Sequence, residues 1–192
     1  MKNYKLVLVM FVFTLLFASL NSTRATVLTF EDLSGTGVMP DPYHGIIDWE
    51  NGVWNYYNWY QYPYSPHSGI VRTYESGYDH TPSWGFLQDV IYNGSYFAGV
   101  GDVQMDLYLD GNLVHSTGIS YTTSTSTFFA TGYSGLVDYV TINTAQPDMW
   151  VMDDLTYQSA PPQVPEPTTM ILLGSLASGL FGFAGLRKRF TK

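Results

Sequence analysis

From Asp102 to Asp110 the chain alternates strictly, with Val103, Met105, Leu107 and Leu109 on one side and Asp102, Gln104, Asp106, Tyr108 and Asp110 on the other. A period of two is that of a half-buried β-strand. Asp110-Gly111-Asn112 then turns the chain into Leu-Val-His-Ser, which predicts a hairpin. Residues 27–33 repeat the pattern with Leu28 and Phe30 among polar neighbours. Residues 86–92 and 95–100 read as two strands flanking an Asn93-Gly94 turn. The β-branched, Ser/Thr-rich stretch 119–130 and the segments 136–143 and 149–157 complete the series. Almost nothing between residues 26 and 160 has a helical period. Many short strands joined by Gly-rich turns predict an all-β fold, an antiparallel two-layer β-sandwich of the jelly-roll kind.

Two apolar runs break this pattern, one at each end. Leu6 to Leu20 follows the basic residues Lys2 and Lys5, and Thr23 and Ala25 occupy the −3 and −1 positions of a cleavage site. Residues 1–25 therefore read as a secretory signal peptide. Met170 to Leu186 is uncharged, and as a helix it spans about 25 Å, enough for a bilayer core. Arg187, Lys188 and Arg189 follow at once, which keeps that end cytoplasmic and the domain outside. Gly174, Ser178 and Gly182 form a stripe that lets another helix approach. Just before the transmembrane helix stands Val164-Pro165-Glu166-Pro167, preceded by Pro161 and Pro162. The prolines hold an extended strip bearing one carboxylate, a shape that an enzyme can read. The chain thus divides into a signal peptide (1–25), a sandwich domain (26–160) and a tail (161–192).

A Pro-Glu-Pro motif, an apolar helix and a basic end, in that order, make residues 164–189 resemble the PEP-CTERM sorting signal of Gram-negative bacteria. The resemblance implies a partner, an exosortase, which is a membrane cysteine transpeptidase. It also implies export across the inner membrane, a membrane-anchored precursor, and delivery to the cell surface or extracellular matrix. It implies sorting alone, because members of that family carry many unrelated mature domains.

Charge narrows what the domain meets. Arg72 is the only Lys or Arg between residues 26 and 163, against 15 Asp and Glu, so this part is near −14 while the whole chain is −8. Such a domain repels phosphate backbones, which excludes nucleic acid as a partner. It attracts cations, Ca²⁺ foremost among those that prefer oxygen. There is no Cys, so packing or a metal must hold an exported domain together without disulfides. Phe30-Glu31-Asp32-Leu33 opens the domain and Met152-Asp153-Asp154-Leu155 closes it. If the first and last strands lie side by side, Glu31, Asp32, Asp153 and Asp154 meet, and a structural Ca²⁺ would neutralise them. This layout resembles jelly-roll carbohydrate-binding modules, which often carry Ca²⁺ between an N-terminal acid and a late Asp. The alternative is that each acid pair straddles a strand with one acid facing out.

Residues 42–64 hold nine aromatic side chains among Gly, Pro and Asn, and read as a long loop with one short strand. Tryptophan and tyrosine suit sugar rings, which makes Trp54, Tyr57 and Trp59 candidate ligand contacts for an exopolysaccharide. The alternative is that the rings cover an open end of the sandwich. On a straight strand Trp49 and Trp59 share a parity that Trp54 lacks, so convergence needs a bend. Trp49 is expected in the core and Trp59 in solvent. Catalytic patterns are missing. Serine has no Gly-x-Ser-x-Gly setting, and His44, His67, His80 and His115 show no ligand spacing. Asp79-His80 reads as a solvated pair. The sequence therefore points to a non-catalytic exported surface or matrix protein that binds polysaccharide. A sugar-active enzyme on the same fold and a purely structural or adhesive envelope protein remain as alternatives.

Overall fold

The computed structural model describes residues 24–49, 54–77 and 81–160. The apolar stretch of the signal peptide, the Asp79-His80 pair and the whole sorting tail lie outside the described residues.

Among the described residues the domain has twelve strands: β1 (Thr26–Leu28), β2 (Thr36–Val38), β3 (Ile47–Asp48), β4 (Trp54–Tyr57), β5 (Arg72–Glu75), β6 (Ser83–Gly99), β7 (Asp102–Leu109), β8 (Asn112–Ser116), β9 (Ser120–Tyr121), β10 (Thr127–Ala130), β11 (Val137–Asn143) and β12 (Trp150–Ser159). Every pairing is antiparallel, and the main path runs β2-β4-β5-β12-β6-β11-β7-β8. The fold is all-β, as the period-2 pattern requires. Strand β1 pairs with β12, so the first and last strands are neighbours. Buried side chains from β4, β6, β7, β11 and β12 belong to one core cluster, so distant parts of the sheet curl around a shared interior in the manner of a sandwich.

Asn93-Gly94 is not a hairpin turn. Residues 83–99 form one long strand that passes through Gly94 at φ 136°. Before this point the buried residues are even-numbered (Trp84, Phe86, Val90, Tyr92), and beyond it Ser95 and Phe97 are buried, with Ala98 buried in a second cluster against Tyr57 and Val151. One irregular residue thus exchanges the inward and outward faces, as a bulge does. The partner strand is irregular at the same level: the β12 register shifts between Asp153 and Thr156, and Thr156 lies opposite Gly94. A Cβ at residue 94 would run into the backbone of Phe129 and Ala130, so only glycine lets β10 approach.

The sequence pattern also needs correction at 27–33 and 119–130. Strand β1 stops at Leu28 because Phe30 sits at φ 61°, a strained value for an aromatic residue. Segment 119–130 divides into β9 and β10. The β7 pattern holds, with Val103, Met105 and Leu107 buried.

Four tryptophans knit the core. Trp54 has ring centroids 5.1 Å from Trp49, 5.5 Å from Trp84 and 6.1 Å from Trp150. Its indole N–H donates to the Ser83 carbonyl at 2.7 Å. These rings sit on β4, β6 and β12 and on the turn after β3, so one cluster ties four chain segments together. Trp84→Ala is expected to cost about 3–5 kcal/mol, the range for deleting a buried aromatic side chain. Trp59→Ala, at a half-exposed position, is expected to stay within about 0.5 kcal/mol. Urea unfolding of the two variants followed by circular dichroism checks the contrast, and equal losses would place both rings in the same environment.

Candidate functional site

The acids of the first and last strands converge on one loop. After Leu28 the backbone leaves its extended path at Phe30, and on β12 it does so at Asp154, at φ 48°. Both departures aim carboxylates at the 58–71 loop between β4 and β5. Glu31 Oε1 accepts from the backbone N–H groups of Ile70 and Val71 at 3.0 and 2.8 Å. Asp153 Oδ2 accepts from the N–H groups of His67 and Ser68 at 2.7 and 3.0 Å. Asp154 lies 2.5 Å from His67 Nδ1 and accepts from the Ser68 hydroxyl at 2.7 Å. The His67 ring is stacked on Tyr96. Gly69 lies against the Glu31 carboxylate, where a Cβ would collide with it, and φ there is 47°.

Of the four sequence-predicted acids, the structure thus gathers Glu31, Asp153 and Asp154 around residues 67–71. Asp32 turns elsewhere, accepting from the Tyr43 hydroxyl and lying 3.1 Å from His44 Nε2. Burial would raise the Asp32 pKa, but these hydrogen bonds outweigh it and hold the group below its ordinary value. Asp153 and Asp154 are both buried, because β12 is covered on both faces. As a cation site the arrangement is poorly matched. Both Asp153 oxygens, Asp154 Oδ1 and Glu31 Oε1 accept from amide or hydroxyl hydrogens, Asp154 Oδ2 meets the His67 ring, and among the described residues no group of three His, Asp or Glu is placed to hold a metal ion.

Arg72 completes the hold on the loop. It is fully buried and has its guanidinium carbon 4.1 Å from the Tyr57 ring centroid. It donates to the Ile70 carbonyl at 3.0 Å and to the Trp59 carbonyl, so it grips the loop near both ends. The sequence marked Arg72 as unusual by its solitude, though not as a loop clamp.

The front of this loop forms an open cavity of about 340 Å³. Tyr57, Trp59, Tyr64 and Tyr74 supply rings to it, and Gln61, Ser76 and Asp148 supply polar groups. The Tyr57 and Trp59 rings are 4.6 Å apart, and Tyr57 meets Tyr74 edge-on at 5.4 Å. Asp148 has a buried Oδ1 with no protein donor, and burial raises its pKa, against a hydrogen bond from Glu75. Of the three ligand residues taken from the sequence, Tyr57 and Trp59 line this cavity. Trp54 lies in the core beneath, fully buried, and has no surface to offer a ligand. Trp49 is buried as well, whereas Trp59 is 50% exposed. Tyr64, Tyr74 and Asp148 come from other segments, and no sequence signal joined them to Trp59.

The buried acid pair has a pH signature. Burial and the neighbouring Asp154 charge push Asp153 up to about 7, against the hydrogen bonds it receives from Ser68, His67 and Asp154. The native carboxyl therefore keeps a proton between about pH 4 and 7 that the unfolded chain has lost. The destabilisation is absent below that window, grows through it, and is complete above it. The urea midpoint is expected to fall from pH 5 to pH 8, and Asp153→Asn is expected to flatten that slope. An unchanged slope in the variant would assign the dependence to other acids.

Comparison with known proteins bears on the tail alone. No curated protein and no solved structure matches the chain. Residues 163–189 match the family model of the PEP-CTERM protein-sorting motif, covering Val164, Pro165, Glu166, Pro167, Arg187, Lys188 and Arg189. The chain therefore carries a PEP-CTERM sorting tail, the mark of an exported protein whose membrane-anchored precursor is processed by an exosortase.

Proposed function

We propose that this is a non-catalytic protein of the cell surface or extracellular matrix, delivered by its tail, whose β-domain binds a neutral polysaccharide in the cavity of the 58–71 loop. The observation that carries the reading is the cavity itself, with rings from Tyr57, Trp59, Tyr64 and Tyr74 beside the polar groups of Gln61, Ser76 and Asp148. Apolar faces of sugar rings pack on aromatic side chains, and hydroxyls find acceptors in a carboxylate and amide. The loop is preorganised by Glu31, Asp153, Asp154 and Arg72, so little ordering is left to cost affinity on binding. Asp148, without a cation beside it in the cavity, disfavours anionic sugars.

Two measurements test the two halves. Trp59 is the one exposed tryptophan of five, so a soluble neutral polysaccharide is expected to change the intrinsic fluorescence. Trp59→Ala is expected to abolish that change and weaken binding by about tenfold or more while leaving the urea midpoint in place. Binding that survives the substitution unchanged would move the ligand off this loop. For sorting, replacing Pro165, Glu166 and Pro167 together by Ala is expected to leave full-length precursor in the inner membrane. Surface material that still carries the intact 164–192 tail in the wild type, seen by mass spectrometry, would overturn the processing.

A further inference from the structure

A second cavity lies on a different part of the sheet. It measures about 630 Å³, and its lining includes Asp48, Gly85, Leu87, Tyr108, Asp138 and Tyr139. The strand register explains how these residues meet. Asp48 on β3 is paired with Gly85 on β6, Gly85 with Tyr139 on β11, and Tyr139 with Tyr108 on β7. Four hydrogen-bonded neighbours at about 4.8 Å spacing put these residues in one row about 14 Å across. A side chain is missing at its second position. A Cβ on Gly85 would sit 3.7–3.8 Å from Asp48 Cβ, the Asp138 carbonyl and the Tyr139 ring, with no clash. The backbone there lies outside the left-handed region, so neither strain nor crowding calls for glycine. Its effect is to leave a trough between Asp48 on one side and the two tyrosines on the other.

The chemistry of the trough is specific. Tyr108 and Tyr139 lie 6.1 Å apart at 72°, so the two rings offer differently directed surfaces. Tyr139 is braced by its hydroxyl, which donates to Ser83 Oγ at 2.7 Å. Asp138 accepts from the Asp110 N–H through Oδ2 at 2.8 Å, while its Oδ1 is buried without a donor. The Asp138 charge adds to that of Asp48 along the trough. The lining holds two carboxylates and no Lys, Arg or His. That charge excludes uronates, sulfated sugars and phosphate polymers.

We propose that this trough is a second polysaccharide site for an extended neutral chain, separate from the cavity of the 58–71 loop and independent of it. With a site on the loop and another on the sheet face, one molecule can hold two strands of a polymer, and the domain acts as a cross-link. Cross-linking needs no new chemistry, since two separate sites on one rigid domain suffice.

The test uses the full chain in detergent, with soluble neutral glucan, mannan and galactan as probes and a polyuronate as charge control. Affinity electrophoresis identifies the polymer that binds, and titration calorimetry with its oligosaccharide gives the number of sites. Two sites are expected in the wild type. Gly85→Val, which suits a strand and fills the trough, is expected to leave one site and an unchanged urea midpoint. Tyr108→Ala provides a second variant should Gly85→Val fold poorly, with at least about a tenfold loss at the same site. Trp59→Ala is expected to remove the other site and leave the trough intact. A single wild-type site abolished by Trp59→Ala and untouched by folded Gly85→Val or Tyr108→Ala would overturn the trough while sparing the loop. The reverse pattern would overturn the loop and spare the trough. Retention of the polyuronate as strong as that of the neutral polymers would overturn the ligand class.

Discussion

The packing of four indoles in one place is the constraint on which the rest of this domain depends. Many of its strands are only two to five residues long, too short to be stable alone. No disulfide joins them. Trp49 and Trp54 lie close together in the chain, Trp84 and Trp150 far from them and from each other, and the contact of the four rings sets the distance between those segments. The cluster is not fully satisfied: the indole N–H groups of Trp49, Trp84 and Trp150 are buried with no protein acceptor. Large apolar area compensates for those lost hydrogen bonds, since each ring buries far more hydrocarbon than polar surface.

Above this core the 58–71 loop is held by charge rather than by apolar contact. Acids from both ends of the domain bind its backbone N–H groups, and the one internal arginine binds its carbonyls. Each side chain meets the backbone group of opposite polarity. The hold costs local backbone strain at Phe30 and Asp154, and it keeps two adjacent carboxyls away from water. Such costs persist where the surrounding structure fixes them, and here they fix the loop that carries Trp59.

How much of this could be read in the sequence follows from range. Period-2 alternation is local, so β7 was visible, and Val103, Met105 and Leu107 pointed inward as their spacing required; the Asp110-Gly111-Asn112 turn marked β8, and apolar content marked β11 and β12. The exposure of Trp59 and the burial of Trp49 also followed from their immediate neighbours. Asn93-Gly94 misled because the same dipeptide serves a hairpin turn or a bulge, and only the partner strand decides between them. Trp54 misled because parity cannot say which side of a strand faces the core. Strands β2 and β5 lacked a pattern, being short and pinned by pairing. The meeting of Tyr64, Tyr74 and Asp148 with Trp59, and that of Asp48 with Tyr108, exist only through long-range register. Glu31, Asp153 and Asp154 were recognised as belonging together, but the turning away of Asp32 and the partners of the other three, groups of a distant loop, leave no mark in residue type.

The burial of Arg72 has a consequence for crowded surfaces. Its guanidinium is consumed inside the fold, so from residue 26 to 160 no Lys or Arg is left to face outward. Copies anchored side by side therefore present like-signed fields to one another. Those fields reach about 8–10 Å at ordinary ionic strength and shrink as salt rises. Wherever copies crowd together, this repulsion opposes close approach more strongly as the salt is diluted.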